Sequence, residues 1–454
     1  MVGLRGIANW VVEHELWLLV IAVPLLMFPE VLPPLLTGAG IVLVLIPWLC
    51  RWLAKGYLSV RTPMDMPILG LFIMLPVSLW ASVDFNLSLP KLTGIILGIV
   101  IFYAIANNVR TERDIWITTE VFILIGMGVS LLSLIGTDWT SKYPFLTPVY
   151  RYLPRLINNI PHSAGGGFHP NEVGGTLILF IPIVVSLLLH PRGREYNSLI
   201  RIGQGEYGFT HLVATASSKI LVHLSSIWFK ILALFLLSFT LFLTQSRSAF
   251  LGIIIALLTL SAIKNRWLRL VFIATIIGSV AVIWYFGIEA IGHFLLDVSE
   301  SAVGVGTLKF AGRKEVWQRA IYMIQDFPYT GIGLNTFDPV AHVMYPFFII
   351  SPEARVIHAH NNFLQVAVDL GIPGLVAYSG LLTTFSILAW RIHRRSECES
   401  SRALAIGLFC GMIAQQVYGL TDAITLGAKP GAALWGMMGL MVALYQWEEA
   451  GGKN

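Results

Sequence analysis

Apolar runs of the length that crosses a bilayer recur along the whole chain, and short polar stretches separate them. A transmembrane helix needs about 20 consecutive apolar residues. The runs lie at about 16–33, 35–53, 66–83, 92–108, 115–135, 173–190, 228–245, 248–263, 268–287, 372–391, 402–420 and 431–447. The pattern therefore predicts an all-α polytopic membrane protein with about twelve transmembrane helices.

Three polar stretches are too long to be simple connections between spans. We expect residues 136–172 to form one extracytoplasmic loop and residues 288–361 a larger, partly helical one that folds over the membrane surface. Loops of this length are usually functional. Residues 191–227 are interpreted as a cytoplasmic linker. No internal repeat is evident, so residues 1–454 are predicted to form a single membrane domain.

The composition agrees with a membrane protein. The chain is 56% hydrophobic and only 12% charged, whereas a soluble protein carries about 25% charged residues. Basic residues concentrate in every second connection, which by the positive-inside rule places both termini in the cytoplasm. The net charge of +5 then reflects topology, so the expected partner is the lipid bilayer and not nucleic acid. Cys50, Cys398 and Cys410 form neither a metal-ligand pattern nor a disulfide framework.

The stretch His360–Gly374 precedes one of the predicted spans and carries the most specific polar pattern. Asn361 is a good N-cap, Gly371 can end the helix that follows, and Pro373 suits the first turn of the next one. The pattern predicts a short amphipathic helix at the membrane surface with a histidine at its N-terminus. The positive end of the helix dipole disfavours an imidazolium there, so His360 should stay neutral and able to accept a proton. Alternatively, His360 merely caps an interfacial helix.

Lys230 and Lys264 flank a predicted helical hairpin, and Arg247 lies about seventeen residues from each of them. At 1.5 Å per residue this separation crosses most of the hydrocarbon core, which puts Arg247 at the outer apex of a tight turn. An arginine at the membrane rim is costly without an anionic partner. The alternative is an arginine that extends its side chain to the lipid headgroups.

Arg313 opens an amphipathic helix in the larger predicted outer loop, because Arg313, Val316, Trp317 and Ala320 have helical spacing. By itself, such an arginine is more often a solvated charge or part of an ion pair within the loop. Arg319 and Arg355 lie in the same loop and are weaker candidates, since no motif surrounds them.

The spacing of His360, Asn361, Gly371 and Gly374 resembles the signature of the bacterial O-antigen ligase and polymerase superfamily. That signature is a histidine and a small polar residue, then nine positions, a glycine, two positions and a glycine, threonine or tyrosine. The Ser-Arg apex at Arg247 and the Gly-Arg context of Arg313 also resemble the family. His169-Pro170-Asn171 resembles a Pro-Asn element of the family, although a turn and helix start explain it better. The resemblance covers roughly residues 165–440.

The resemblance implies a fold related to GT-C-type membrane glycosyltransferases that use polyprenyl donors. Such an enzyme moves a glycan from undecaprenyl diphosphate to an acceptor hydroxyl at the outer face of the bacterial inner membrane, with its active site facing the periplasm or the cell exterior. His360 would be the general base, and Arg247 and Arg313 would hold the diphosphate. Asn361, Arg319 and Arg355 are further candidate substrate-binding residues. Attack opposite the leaving group would invert the anomeric centre.

No metal or other cofactor is expected. The sequence shows no Asp-x-Asp in the predicted outer loops and no His-Glu-x-x-His, and a zinc site at His358 and His360 would need firmer spacing and a fourth ligand. Two guanidinium groups could neutralise a diphosphate in place of magnesium, because they are always charged and bind phosphate bidentately.

Three functions stay open. A ligase would use a lipid A-core oligosaccharide as acceptor and is slightly preferred; a polymerase of the same family would use another lipid-linked repeat. A small-anion transporter would need ionisable residues deep within spans and broken helices paired between halves. Mid-span ionisable residues are few, with Glu120 and Asp422 as the possible ones, and the charged motifs lie at one face, which favours an enzyme.

Overall fold

The computed structural model describes residues 2–137, 139, 146–153, 156–157, 167–190, 226–296, 310–351 and 354–451. These residues are mainly helical. The helices are α1 (Val2–Glu13), α2 (Glu15–Met27), α3 (Pro34–Lys55), α4 (Asp65–Ala81), α5 (Phe85–Asn108), α6 (Glu112–Gly136), α7 (Thr147–Tyr152), α8 (Pro170–Leu177), α9 (Ile181–Leu189), α10 (Ile227–Thr244), α11 (Arg247–Lys264), α12 (Arg266–Leu296), α13 (Phe310–Asp326), α14 (Phe337–Met344), α15 (Asn362–Arg395), α16 (Glu399–Tyr418) and α17 (Gly431–Glu449).

Each predicted apolar run coincides with one of these helices, or in one case with the consecutive pair α8 and α9. In the described ranges, seven helices are long and apolar enough to cross a membrane, or eight if the bent pair formed by α1 and α2 is one span. The prediction of an all-helical polytopic membrane protein is therefore confirmed. The number twelve and the GT-C-type architecture remain predictions.

Two hydrophobic clusters organise the part of the chain that carries the candidate residues. The larger cluster joins α4–α6, α8–α11 and α15–α17, and its largest fully buried side chains include Trp116, Trp435 and Tyr378. The smaller one is formed by α13, α14 and the residues up to Ala359, and it includes Val368 of α15. The segment 310–360 thus has its own core and packs directly on the start of α15.

The expected loop and linker boundaries can be followed only in part. Most of the stretch 191–227, and residues 138, 140–145, 154–155, 158–166 and 297–309, lie outside the described residues. Between residues 288 and 361, α13 and α14 supply the expected helical content. On which side of the membrane each segment lies remains a prediction from the basic residues.

Helix α15 contains a break at Gly371, where φ is +68° and ψ is −177°. A Cβ there would lie 2.7 Å from the carbonyl carbon of Tyr329. The next residue, Ile372, donates its N–H to the carbonyl oxygen of Pro328 at 2.7 Å. The predicted end of one helix at Gly371 and start of another near Pro373 are confirmed, and the break lets the segment before α14 pack against the backbone of α15.

The polar face of the first part of α15 does not lie at a water-exposed surface. Asn362, Gln365 and Asp369 are only 1%, 0% and 2% exposed. The segment is a helix with a polar face, as predicted, but that face is buried in the protein, and the position of the segment at the membrane surface stays a prediction. Its polar side chains face polar groups inside the protein, because α5 and the segment 310–360 cover them.

Two further ion pairs connect helices outside the smaller hydrophobic cluster. Lys230 of α10 approaches Glu120 of α6, with 2.9 Å between Nζ and Oε1, and Arg51 of α3 pairs with Glu15 at the start of α2. Glu120, noted above as an ionisable residue in or near a span, is thus accounted for by a cationic partner.

Candidate functional site

His360 lies in the short segment between the smaller hydrophobic cluster and α15. Its φ is +46°, in the left-handed region that a non-glycine residue adopts at a cost of about 1–3 kcal/mol. Contacts on both sides hold this conformation. The N–H of Ala359 donates to Oε1 of Gln365 at 2.6 Å, and the carbonyl oxygen of His360 accepts from Nε1 of Trp317 at 3.4 Å. The backbone therefore presents the imidazole in a defined direction.

Asn361 is the N-cap of α15, as predicted. Its side-chain oxygen accepts from the backbone N–H groups of Phe363 and Leu364, each at 3.0 Å. Its side-chain nitrogen donates to the carbonyl oxygen of Leu420 at 3.1 Å. One side chain thus fixes the start of α15 and ties it to the connection 419–430, which follows α16.

Asp422 in that connection is the partner of His360. Its Oδ1 lies 3.4 Å from Nδ1 of His360, and its Oδ2 accepts from Nδ2 of Asn171 at 3.1 Å. Burial would raise the pKa of this carboxyl, but the adjacent imidazole of His360, together with His358 and Arg313, holds the pKa below its ordinary value. Asp422 is therefore an anion beside Nδ1 of His360, and its place in the connection 419–430 corrects its interpretation as a possible mid-span residue.

His358 lies beside this pair. Its ring centroid is 4.3 Å from that of His360, and its Nε2 is 3.9 Å from Oδ1 of Asp422. Burial, with smaller contributions from His360 and Lys91, lowers the pKa of His358 to about 3. His358 is therefore neutral near pH 7.

One ligand atom from each of His358, His360 and Asp422 lies within 4.8 Å of the others, a group that could hold a metal ion. A catalytic zinc site uses three protein ligands and an open position. The expectation of a metal-free site is thus a prediction that needs an experiment.

Arg313 lies in the first turn of α13 and is 7% exposed. One turn later on the same helix, Trp317 donates to the carbonyl oxygen of His360. The charge of Arg313 also acts on Asp422. Helix α13, predicted from its spacing, therefore brings Arg313 to the His360–Asp422 pair.

Arg247 is the first residue of α11, directly after the tight turn that was predicted between α10 and α11. The next residue, Ser248, hydrogen-bonds through its hydroxyl to that of Thr421 at 2.7 Å. Thr421 precedes Asp422 in the chain. The connection 419–430 therefore contacts both the turn that carries Arg247 and the segment that carries His360.

Arg319 and Arg355 are placed differently. Arg319 lies 3.4 Å from a carboxylate oxygen of Glu315 and over the ring of Phe348 at 5.3 Å. Arg355 is exposed. Both of these contacts of Arg319 lie inside the segment 310–360, so a role of Arg319 in binding substrate stays a prediction.

Two site features have no sequence signal of their own. Asp422 lies more than sixty residues after His360, and Glu315 organises the loop by accepting the backbone N–H groups of Ile349 and Ile350 at 3.0 and 3.1 Å. Neither residue falls in a motif. Only the long-range packing of α13, α15 and the connection 419–430 reveals them.

The described architecture and site define a multi-pass helical membrane protein with an acid–base pair at one end of its helices. Residues 232–379 match the family model described as O-Antigen ligase. This match confirms the resemblance to the ligase and polymerase superfamily. Arg247, Arg313, His360 and Asn361 lie within the match, whereas Asp422 lies outside it. No curated protein matches the chain. Members of the matched family are glycosyltransferase-like enzymes, and the apolar helices of this chain agree with a membrane protein.

Proposed function

We propose that the protein transfers a glycan from undecaprenyl diphosphate to an acceptor hydroxyl at the outer face of the inner membrane. The observation that carries this proposal is the His360–Asp422 pair. A buried carboxylate faces Nδ1 of the imidazole, and the strained backbone of His360 is held from both sides. This arrangement suits a general base, because the carboxylate stabilises the imidazolium that forms when Nε2 accepts a proton.

In the proposed reaction, the acceptor oxygen attacks the anomeric carbon while the bond from that carbon to the diphosphate oxygen breaks. The acceptor proton moves to Nε2 of His360. Attack from the side opposite the leaving group inverts the anomeric centre. Undecaprenyl diphosphate leaves, and the imidazolium later releases its proton to water or to the leaving group.

Arg247 and Arg313 are the proposed diphosphate ligands. Arg313 reaches the site from α13, and Arg247 stands beside the connection that carries Asp422. Guanidinium groups bind phosphate oxygens bidentately and stay charged at every relevant pH, so they can stabilise the leaving group without a metal. Asn361 contributes by placing His360, since its own side chain already holds the helix start and the carbonyl oxygen of Leu420.

The test is glycan transfer by the protein reconstituted in vesicles, with an undecaprenyl-diphosphate glycan as donor. Lipid A-core oligosaccharide and a second lipid-linked repeat are supplied as separate acceptors. Transfer to the first identifies the proposed ligase; transfer only to the second identifies a polymerase. Turnover that persists in EDTA and yields an inverted linkage supports the mechanism. Loss of turnover in EDTA, with recovery on adding Zn²⁺, would assign His358, His360 and Asp422 to a metal instead. Anion flux without transfer would indicate a transporter.

The orientation needs its own experiment. The basic connections place residues 288–361 outside and Cys398 inside. We expect a membrane-impermeant maleimide to label His342→Cys in intact cells, because this side chain is partly exposed. Cys398 should react only after the membrane is opened. Labelling in the reverse sense would place the site at the cytoplasmic face and contradict the proposed reaction.

A further inference from the structure

Lys91 is a buried lysine in the second turn of α5, outside the region that matches the family. Its Nζ pairs with Oδ2 of Asp369 on α15, and the two side chains are 9% and 3% exposed. A buried charge pair of this kind is weak evidence for stability, because desolvation offsets most of the attraction. An ionisable residue in a membrane helix more often has a functional role.

Asp369 makes further contacts. Its other carboxylate oxygen, Oδ1, accepts from Nε2 of Gln365 at 2.9 Å and from the backbone N–H of Asn335 at 3.3 Å. The carbonyl oxygen of Asp369 accepts from the hydroxyl of Ser78 at 2.7 Å. Gln365 has no exposed surface. Its amide is therefore held in one orientation, with the nitrogen toward Asp369.

The orientation of the Gln365 amide determines which group its side-chain oxygen contacts. Oε1 accepts the N–H of Ala359 at 2.6 Å, and Ala359 directly precedes His360. A flipped or displaced amide would present a donor to that N–H and lose the contact. Because His360 has a positive φ, it keeps its conformation only where the surrounding structure fixes it. The charge of Lys91 is also close enough to act on His358.

We propose that Lys91, acting through Asp369 and Gln365, fixes the peptide before His360 and is a positioning residue for the proposed base. This inference rests on the proposed function. It predicts that the ion pair serves the turnover step and not the binding of either substrate.

The first test removes both charges together in Lys91→Met with Asp369→Leu, which avoids leaving one buried charge without its partner. We expect kcat to fall about 10- to 100-fold, the usual size of a small misplacement of a catalytic group, with both KM values changed by less than about threefold. The matched control is Lys230→Met with Glu120→Leu. That pair is also a lysine with a buried carboxylate between two helices, but it joins α10 to α6, whereas Lys91 and Asp369 join α5 to α15, the helix that begins after His360. It should keep the wild-type kcat.

Two further variants test the role of Lys91 if the double replacement does not fold. Gln365→Met leaves Lys91 and Asp369 paired and should still lower kcat selectively. In the background of His360→Ala, the Lys91→Met and Asp369→Leu pair should cause no additional loss, since its effect passes through His360. A wild-type kcat in either the double replacement or Gln365→Met, an equal loss in the control pair, or an additive loss beside His360→Ala would overturn the inference. A fully active His360→Ala would instead overturn the proposed base itself.

Discussion

Two junctions between a loop and a helix carry the proposed chemistry, and one of them has a side-chain N-cap whereas the other has none. Each contains a non-glycine residue of positive φ, namely His360 at +46° and Gln245 at +50°. At the start of α15, Asn361 caps two backbone N–H groups and the peptides beside His360 are bonded to other segments. At the start of α11, Ser246 makes no side-chain cap hydrogen bond. Arg247 follows it.

The difference fits the chemistry proposed for each junction. A general base works only when one nitrogen meets one proton along a narrow direction, so its backbone must be held closely. A guanidinium offers five donors on a long side chain, and its attraction for a diphosphate falls off slowly with distance. The start of α15 should therefore be sensitive to small changes of geometry, and the start of α11 chiefly to loss of charge.

The largest effect is expected at His360. His360→Ala should lower kcat about 10²- to 10⁴-fold, the usual contribution of a general base, with little change in donor KM. Rates and KM values measured in vesicles at matched protein level would show this. His358→Ala is the internal control, because His358 is neutral and has its ring against that of His360 but lies outside the motif. If His358→Ala is the inactive variant, the assignment of the base is wrong.

The arginine variants should change the KM for the donor more than kcat, which is the opposite of the result expected for His360→Ala. Arg313→Ala and Arg247→Ala each remove a charged hydrogen-bond donor, which is worth about 1.5–3 kcal/mol. We expect kcat/KM for the donor to fall about 10- to 100-fold, with weaker donor binding measured directly. Lysine at either position should restore only part, because an ammonium has no bidentate fork.

Lys264→Ala, at the other end of α11, is the control for Arg247→Ala and should bind the donor normally. Normal donor binding by Arg313→Ala would separate α13 from the diphosphate. The same result for Arg247→Ala would leave that arginine as a lipid-facing charge, the alternative given by its position at the end of a span.

The sequence and the structure differ most where polar residues are buried. The cap at Asn361, the break at Gly371 and the helix that starts before Arg313 follow from local rules, so they could be predicted. The role of the polar face of α15 could not. An amphipathic pattern shows that two faces differ, but it does not show whether the polar face meets water or, as for Asp369, a buried lysine. The sequence shows Asp422 only as a possible charge within a span, and its place beside His360 could not be predicted because the two residues are distant in the chain.

The smallest effects are expected from the variants at Asn361 and Ser246, which compare the two junctions directly. Asn361→Ala removes two cap hydrogen bonds and the contact to Leu420, and a lost N-cap costs about 1 kcal/mol. We expect kcat to fall about fivefold through a less well placed His360, since each 1.4 kcal/mol is a factor of ten. Asn361→Asp should recover most of this loss, because aspartate also caps well. Ser246→Ala should change neither kcat nor donor KM by more than about twofold, because its side chain caps nothing. Equal losses in Asn361→Ala and Ser246→Ala would show that the two junctions are held alike, and the contrast in precision between base and cation would fail.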